Sequence, residues 1–524
     1  MGIMFYTLDW IIIGLYCIGI ISLATYVSRK KAGSERSAED YFLAGRSLPW
    51  WAIGASLIAA NISAEQIIGM SGQGFVVGMA IAVWELTAAI ALIVMAKFFL
   101  PLFLEKKIYT MPQFLEQRFD KRVSLVLSFF WLTVYIFVNL TAVLWLGSLA
   151  INTLTGMSLV NGMILLAFLS LAYSLSGGLK AVAMTDIVQV VLLIFGGLAV
   201  SYIALTKIGD GNITIGIAQV YQQMPEKFDM ILSPDNPSYN NLPGIWILIG
   251  AGVWIGHFAY WGFNQYITQR ALGAKSLKEA QKGVMFAAYI KLLMPLVIVL
   301  PGICAAMLFP VLDKTDQAYP TMMIELLPSG LLGLTFAALI AAIVSSLASM
   351  TNSISTIFTM DICRSFSKTE IQQSSLILIG RSAVIGSMLI ALVMAKPILG
   401  NSDQIFQYIQ NFTGLFTPGI LVIFLVALFW KKATTLSVLV AAVLSVVMSI
   451  FIQASFPDFP YIHRMGVVFF TSGMGCYLTS LAQGYLDQEK AIDLNGINFK
   501  TSKAFNVNSL IIVSILTLIY VTLG

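Results

Sequence analysis

The sequence predicts an all-α polytopic membrane protein with 14 transmembrane helices. Three observations carry that expectation. First, 58% of the 524 residues are hydrophobic and only 10% are charged, with a mean hydropathy of +0.87; soluble domains carry about 25% charged residues. Second, 14 apolar runs each approach the length that crosses a bilayer as a helix, about 20 residues. They lie near 9–28, 48–72, 76–100, 123–150, 156–176, 180–206, 244–268, 283–309, 329–361, 374–396, 401–428, 433–454, 461–485 and 507–523. Third, the runs are continuous, whereas barrel strands are short and alternate apolar with polar residues.

The first run is expected to remain in the membrane. Its leader, MGIMFYTLDW, has no basic residue and carries Asp9, unlike a secretory signal. Orientation follows from Lys and Arg: with the N-terminus outside, 23 of the 30 fall on the cytoplasmic side and five outside. Both termini are then extracellular or periplasmic, in a cell-membrane protein. Cys17, Cys304, Cys363 and Cys476 are far apart and lack CxxC spacing, so they read as small hydrophobes. With two histidines, no nucleophile motif, no phosphate loop and no clustered basic face, the chain offers nothing for metal-dependent catalysis, covalent catalysis or nucleic-acid binding. It is not expected to be an enzyme.

Polar residues inside spans are costly and mark function. Glu65, Glu85, Asp186, Lys291 and Arg381 are ionisable, and Asn61, Gln66, Asn139, His257, Asn264, Ser345, Ser346 and Gln410 join them. Glu85 and Lys291 sit at similar depth, which points to a mutual pair lining a wet cavity. Asp186 and Arg381 lie nearer span ends, where snorkelling is an equal explanation. The second span reads GASLIAANISAEQIIGMSGQG; this crowding of small and polar residues suits a helix broken at mid-membrane, with freed carbonyls lining a site, the alternative being a GxxxG-like packing face. Ser345 and Ser346 in AAIVSSLASM could complete an all-oxygen cage for a hard cation such as Na+. In WIGHFAYWGFNQY, His257, Tyr260, Trp261 and Asn264 share one helix face, and Phe406 and Gln410 repeat the theme. Aromatic faces among amides, one carboxylate and one ammonium suit a neutral polyhydroxylated ligand.

The stretches YFLAGRSLPWWAIGASLIAANISAEQIIGMSG, YIFVNLT, YWGFNQY, AAIVSSLASM, TIFTMDI and FQYIQNFTG resemble, in order along nearly the whole chain, the sodium:solute symporter family, within it the bacterial sodium/galactose (glucose) cotransporters. The resemblance implies a LeuT-type five-plus-five inverted repeat with discontinuous helices. Its divisions would be an N-terminal extra helix and cytoplasmic loop (1–47), a first repeat (48–206), an extracellular loop (207–243), a second repeat (244–428) and three peripheral helices (429–524). It implies Na+ as coupling ion, held by the carbonyls of Ala59, Ile62 and Ala342 and the hydroxyls of Ser345 and Ser346. A sugar would meet Gln66, Glu85, Asn139, Tyr260, Lys291 and Gln410, with His257 at a sugar-contacting position. Asn61 and Tyr260 match an inner gate, Met70, Trp84 and Phe406 an outer lid, and Asp186 an acid of sodium release. Trp84, Ala88 and His257 stand where the galactose pattern has tyrosine, serine and asparagine. The function so implied is sodium-coupled symport of a hexose-like sugar by alternating access. Inositol, sialic acid or an amino acid as cargo, a membrane solute sensor, and a proton-driven variant through Asp186 and His257 are the alternatives.

Overall fold

A computed structural model describes residues 5–28, 44–108, 110–176, 179–367 and 371–524. The loop expected at 29–43, including the first three residues of the YFLAGR stretch, lies outside them. The described residues are helical, with one isolated bridge between Leu48 and Ala274 and no strand. Fourteen helical units follow one another: α1 (Thr7–Ser28), α2 (Trp50–Asn61 with Glu65–Val76), α3 (Met79–Glu105), α4 (Lys121–Thr155), α5 (Leu159–Ser176), α6 (Leu179–Ile208), α7 (Gly252–Phe263 with Gln265–Leu272), α8 (Leu277–Leu308), α9 (Leu331–Phe366), α10 (Gln373–Leu399), α11 (Ile405–Thr413 with Thr417–Phe429), α12 (Thr435–Ser455), α13 (Tyr461–Ala482) and α14 (Lys503–Leu523). Among the described residues, nine helices are long and apolar enough to cross a membrane, or 11 with the two bent pairs α2 and α11 counted as single spans. Fourteen crossings are therefore not confirmed: α1 and α5 pass only as shorter apolar helices, and α7 is divided.

The breaks build the site. α2 stops at Asn61, where Ile62 turns extended (ψ 94°), and resumes as a π-helical turn, Glu65–Met70; the two halves are bent by 60°. The Ser63 N–H turns to Gln66 Oε1 at 3.3 Å and so gives up the ladder bond to the Ala59 carbonyl. α7 breaks at Asn264 (φ −74°, ψ 126°), and α11 bends by 47° at 414–416. Of these only the α2 break was expected. Further π-helical turns interrupt α3, α4, α8 and α9; the one in α8 begins at Pro295, whose missing N–H cannot continue an α-ladder.

The first half of α2 packs against α6, α8 and α9. α1 docks outside the bundle through Asp9, which is fully buried: its carboxylate accepts from the Gly330 and Gly333 N–H groups at 2.7 and 2.9 Å, at the start of α9, where an anion is favoured. α12, α13 and α14 lie on the periphery and expose apolar side chains such as Val443, Phe470 and Leu510, as a lipid-facing surface does.

Candidate functional site

Two buried polar centres flank the break in α2. On one side lies a cavity of about 110 Å³. All seven substrate residues expected from sequence (Gln66, Glu85, Asn139, His257, Tyr260, Lys291, Gln410) and all four gate residues (Asn61, Met70, Trp84, Phe406) line it. Lys291 Nζ meets Glu85 Oε2 at 2.6 Å, with both side chains at most 2% exposed. Nζ also donates to Asn61 Oδ1 and lies 5.3 Å from the Trp261 ring centre. The ammonium is thus neutralised and fixed by groups on α2, α3 and α7, the only affordable way to keep a charge in this interior.

The aromatic side of the cavity is equally tied. Asn61 Nδ2 donates to the Tyr260 hydroxyl at 3.1 Å, and that hydroxyl shares a hydrogen bond of 2.8 Å with Tyr266. Tyr135 donates to Asn264 Oδ1 at 2.8 Å and accepts the Gln265 N–H at 3.2 Å, which satisfies the α7 break. Asn139, in the π-helical turn Tyr135–Leu140, donates to Glu65 Oε1 at 3.4 Å. His257 Nε2 lies 2.8 Å from Thr87 Oγ1. The Thr87 hydroxyl donates to the Val83 carbonyl at 2.5 Å, so the imidazole is the donor to threonine. His257 is therefore anchored to α3 on one nitrogen while it lines the cavity. Phe406 covers Gly69, where an added Cβ would lie 3.1 Å from the phenylalanine Cβ; glycine lets that ring seat closely. Ala88 is buried but does not line the cavity.

On the other side of α2, Ala59, Ile62, Ala342, Ser345 and Ser346 are all at most 1% exposed, on the first half of α2, its break and the facing α9. The Ser346 hydroxyl is buried without a partner. An orphaned hydroxyl oxygen, like a carbonyl released from its ladder, is the kind of donor a small hard cation satisfies. Ser345 Oγ is engaged, donating to Asp186 Oδ1 at 2.6 Å, and Ser56 Oγ donates to Asp186 Oδ2 at 2.5 Å. Asp186 is fully buried and bridges α2 and α9, rather than snorkelling from the end of α6.

Several participants escaped the sequence reading. Arg270, read as one of the cytoplasmic loop charges, is 1% exposed. Its Nε donates to Ser56 O and Oγ at 2.9 Å, Nη2 donates to Ser349 Oγ at 2.6 Å and lies 3.9 Å from Asp186 Oδ2. Only polar neighbours (Gln265, Thr268, Gln269) mark its stretch in sequence. Trp131 and, on α13, Met465 line the cavity with no local pattern to announce them, whereas Glu65 and Trp261, which also line it, were marked in the sequence. Arg381 is exposed on α10 and outside the site.

Residues 41–436 match the model of the sodium:solute symporter family. The chain is 45% identical over 533 aligned residues to the sodium/glucose cotransporter of Vibrio parahaemolyticus, covering 98% of this chain and 97% of the relative. It is 34% identical to an uncharacterized symporter, YidK, of Escherichia coli strain K12, over 83% of this chain and 77% of that one. Among solved structures, a substrate-bound, outward-open Na+-coupled sialic acid symporter superposes with a TM-score of 0.78 at 22% identity, covering 91% of this chain and 98% of the other; it shares the LeuT-like fold. The chain belongs to the sodium:solute symporter family: it is a multi-pass membrane transporter, not an enzyme, and its coupling ion is Na+.

Proposed function

We propose that the protein is a sodium-coupled symporter of a neutral hexose-like sugar, with both termini on the outer side of the cell membrane. What supports this is the shared helix: the break in α2 carries Ile62, one of the expected ion ligands, while Asn61 and Gln66 beside it line the cavity. Sodium bridging α2 to α9 holds one arrangement of the bundle, and a ligand can shift an equilibrium only by its differential affinity for the two arrangements. Asn61–Tyr260 closes the inner side of the cavity and Met70, Trp84 and Phe406 its outer side. Asp186, between Ser56, Ser345 and Arg270, is placed to receive the ion on its way inward. The 45% identity to a sodium/glucose cotransporter supports sugar as cargo, as does a wall of amides and rings around the Glu85–Lys291 pair, with no arginine among the described lining residues.

The driving force is sufficient. One Na+ crossing about 100 mV contributes about 2.3 kcal/mol, and a tenfold gradient about 1.4 kcal/mol. Together they sustain a sugar accumulation of a few hundredfold at one-to-one coupling. Proteoliposomes given labelled hexoses, inositol or sialic acid, with Na+ or K+ outside, test the reading: uphill uptake of a hexose in Na+ alone is expected. Equal accumulation in K+ would overturn sodium coupling, and exclusive uptake of another cargo would overturn the sugar.

Tyr260→Phe keeps the ring but strands Asn61 and Tyr266. It is expected to raise efflux from preloaded proteoliposomes about five- to tenfold, the equivalent of about 1 kcal/mol. Unchanged efflux would remove the Asn61–Tyr260 pair from the inner gate.

A further inference from the structure

Next to Phe406, which lines the cavity, the turn between α8 and α9 is stapled to the start of α11. Lys314 Nζ donates to the carbonyls of Ser402 and Gly400 at 2.9 and 3.3 Å. Thr315 donates its N–H and hydroxyl to Asp403 Oδ1 at 3.1 and 2.9 Å. Asp316, 1% exposed, accepts the Ile405 N–H on Oδ2 at 3.1 Å. Ile405 is the first residue of α11, and the next is Phe406. The second half of α2 joins the same corner: Gln73 Nε2 donates to Gln404 Oε1 at 3.0 Å, and an added Cβ on Gly72 would lie 2.7 Å from Asp316 Oδ1.

The carboxylate is anchored on one side only. Oδ2 has the N–H and the positive end of the nine-residue helix Ile405–Thr413. Oδ1 is buried with no partner, and so is Gln73 Oε1. An ionised group with a dry, unpaired oxygen is costly, and a proton on Oδ1 would remove that cost while Oδ2 still holds Ile405.

We infer that Asp316 is a positioning residue of the outer lid, holding the first turn of α11 so that Phe406 closes over the cavity, and that the closed lid takes up a proton on this side chain. The inference rests on the transport reading for what the lid covers. Burial pushes the carboxyl up to about 7; the Ile405 N–H opposes this, Asp403 adds to it and Lys314 opposes it. Asp313 and Lys314 flank the turn in sequence, Asp403 faces it from the 400–404 segment, Glu65 lies on the π-helical turn of α2, Tyr319 and Glu325 on the helix Ala318–Leu326, and Tyr408 on α11; α4 from 141 to 155 and α2 from 71 to 76 carry no titratable group. When the lid opens, the carboxyl becomes hydrated and returns toward the ordinary aspartate value of about 3.9. The closed state therefore binds more protons. It gains on the open state as pH falls through about 7, by at most tenfold per unit, and the gain levels off near pH ~4.

Paired spin labels at the exposed Asn401 and Gln222, on protein in nanodiscs with Na+ and no sugar, read the lid directly. The shorter distance should gain population from pH 8 to pH 6 in the native protein. Asp316→Asn, which keeps an acceptor for Ile405 and adds a donor, should favour the short distance at both pH values. Asp316→Ala should favour the long one at both. The apparent KM for sugar should rise on acidification in the native protein and be flat in both variants, whereas a merely structural residue would lower yield or melting temperature and leave the pH profile in place. A native-like pH dependence in Asp316→Asn, or native distances in Asp316→Ala, overturns the assignment. Distances that follow pH in a protein that transports no sugar would sink the transport reading and leave the lid assignment standing.

Discussion

Lys291→Ala is expected to lower sugar uptake in proteoliposomes by at least about 100-fold while Na+ binding is retained. The ammonium sits 2.6 Å from Glu85, orders Asn61 and lines the cavity, so its removal unmakes the cargo wall at three points. A 100-fold loss corresponds to about 2.7 kcal/mol. The same change leaves Glu85 buried and unpaired, which costs about 3–5 kcal/mol of stability. Folding and function must therefore be separated. Lys291→Met with Glu85→Gln removes both charges at similar volume; it should regain most of the melting temperature and none of the uptake. If the double variant transported normally, the pair would be a structural ion pair and the proposed cargo site would be misplaced. Sodium binding is expected to survive because Ser346 and Ala342 lie on α9 and neither they nor Ala59 lines the cavity.

Ser346→Ala is expected to raise the Na+ concentration for half-maximal uptake at least about tenfold, with little change in stability when Na+ is absent. The argument turns on the state of this hydroxyl: it is 1% exposed and has no partner. Removing a buried group whose hydrogen bond is unmade loses no intramolecular bond, so a stability loss is not expected in K+ buffer. In Na+ the oxygen would be a ligand, and the thermal stabilisation that native protein gains from the ion should shrink in the variant by mass action. Ser345→Ala is the contrasting control. Its hydroxyl donates to Asp186, so its loss should destabilise the protein with or without Na+. Identical sodium dependence in Ser346→Ala and native protein would remove this serine from the ion site.

Much of the site is legible in the residues because a membrane leaves few reasons for polarity. Glu85 and Lys291 could be paired on paper: two opposite charges at similar depth cannot be solvated separately in hydrocarbon. The break in α2 was also readable, since ANISAEQ supplies the small and hydrogen-bonding side chains that satisfy an opened ladder, as Gln66 does for Ser63. The breaks at Asn264 and at 414–416 were not. WGFNQY and NFTGLF carry weaker local signals, and their freed groups are satisfied from far along the chain, by Tyr135 for Gln265 and by Ser449, 34 residues on, for Leu415.

Charge near span ends was the least readable feature. Arg270 counts as a loop cation by position, and for Asp186 snorkelling and a functional role read equally well; each is buried because the other, with Ser56, Ser345 and Ser349, satisfies its charge. Asp316 belongs to the same class, an acid in a connecting turn that became an interior group once α2 and α11 closed around it. Composition, span length and isolated polar residues thus announced a helical membrane transporter and most of the side chains at its centre, because each of those signals reports one residue's solvation in hydrocarbon. Where helices open, which charges turn inward and what holds the lid emerged only with the folded chain, because those outcomes depend on partners tens to hundreds of residues away that no local pattern records.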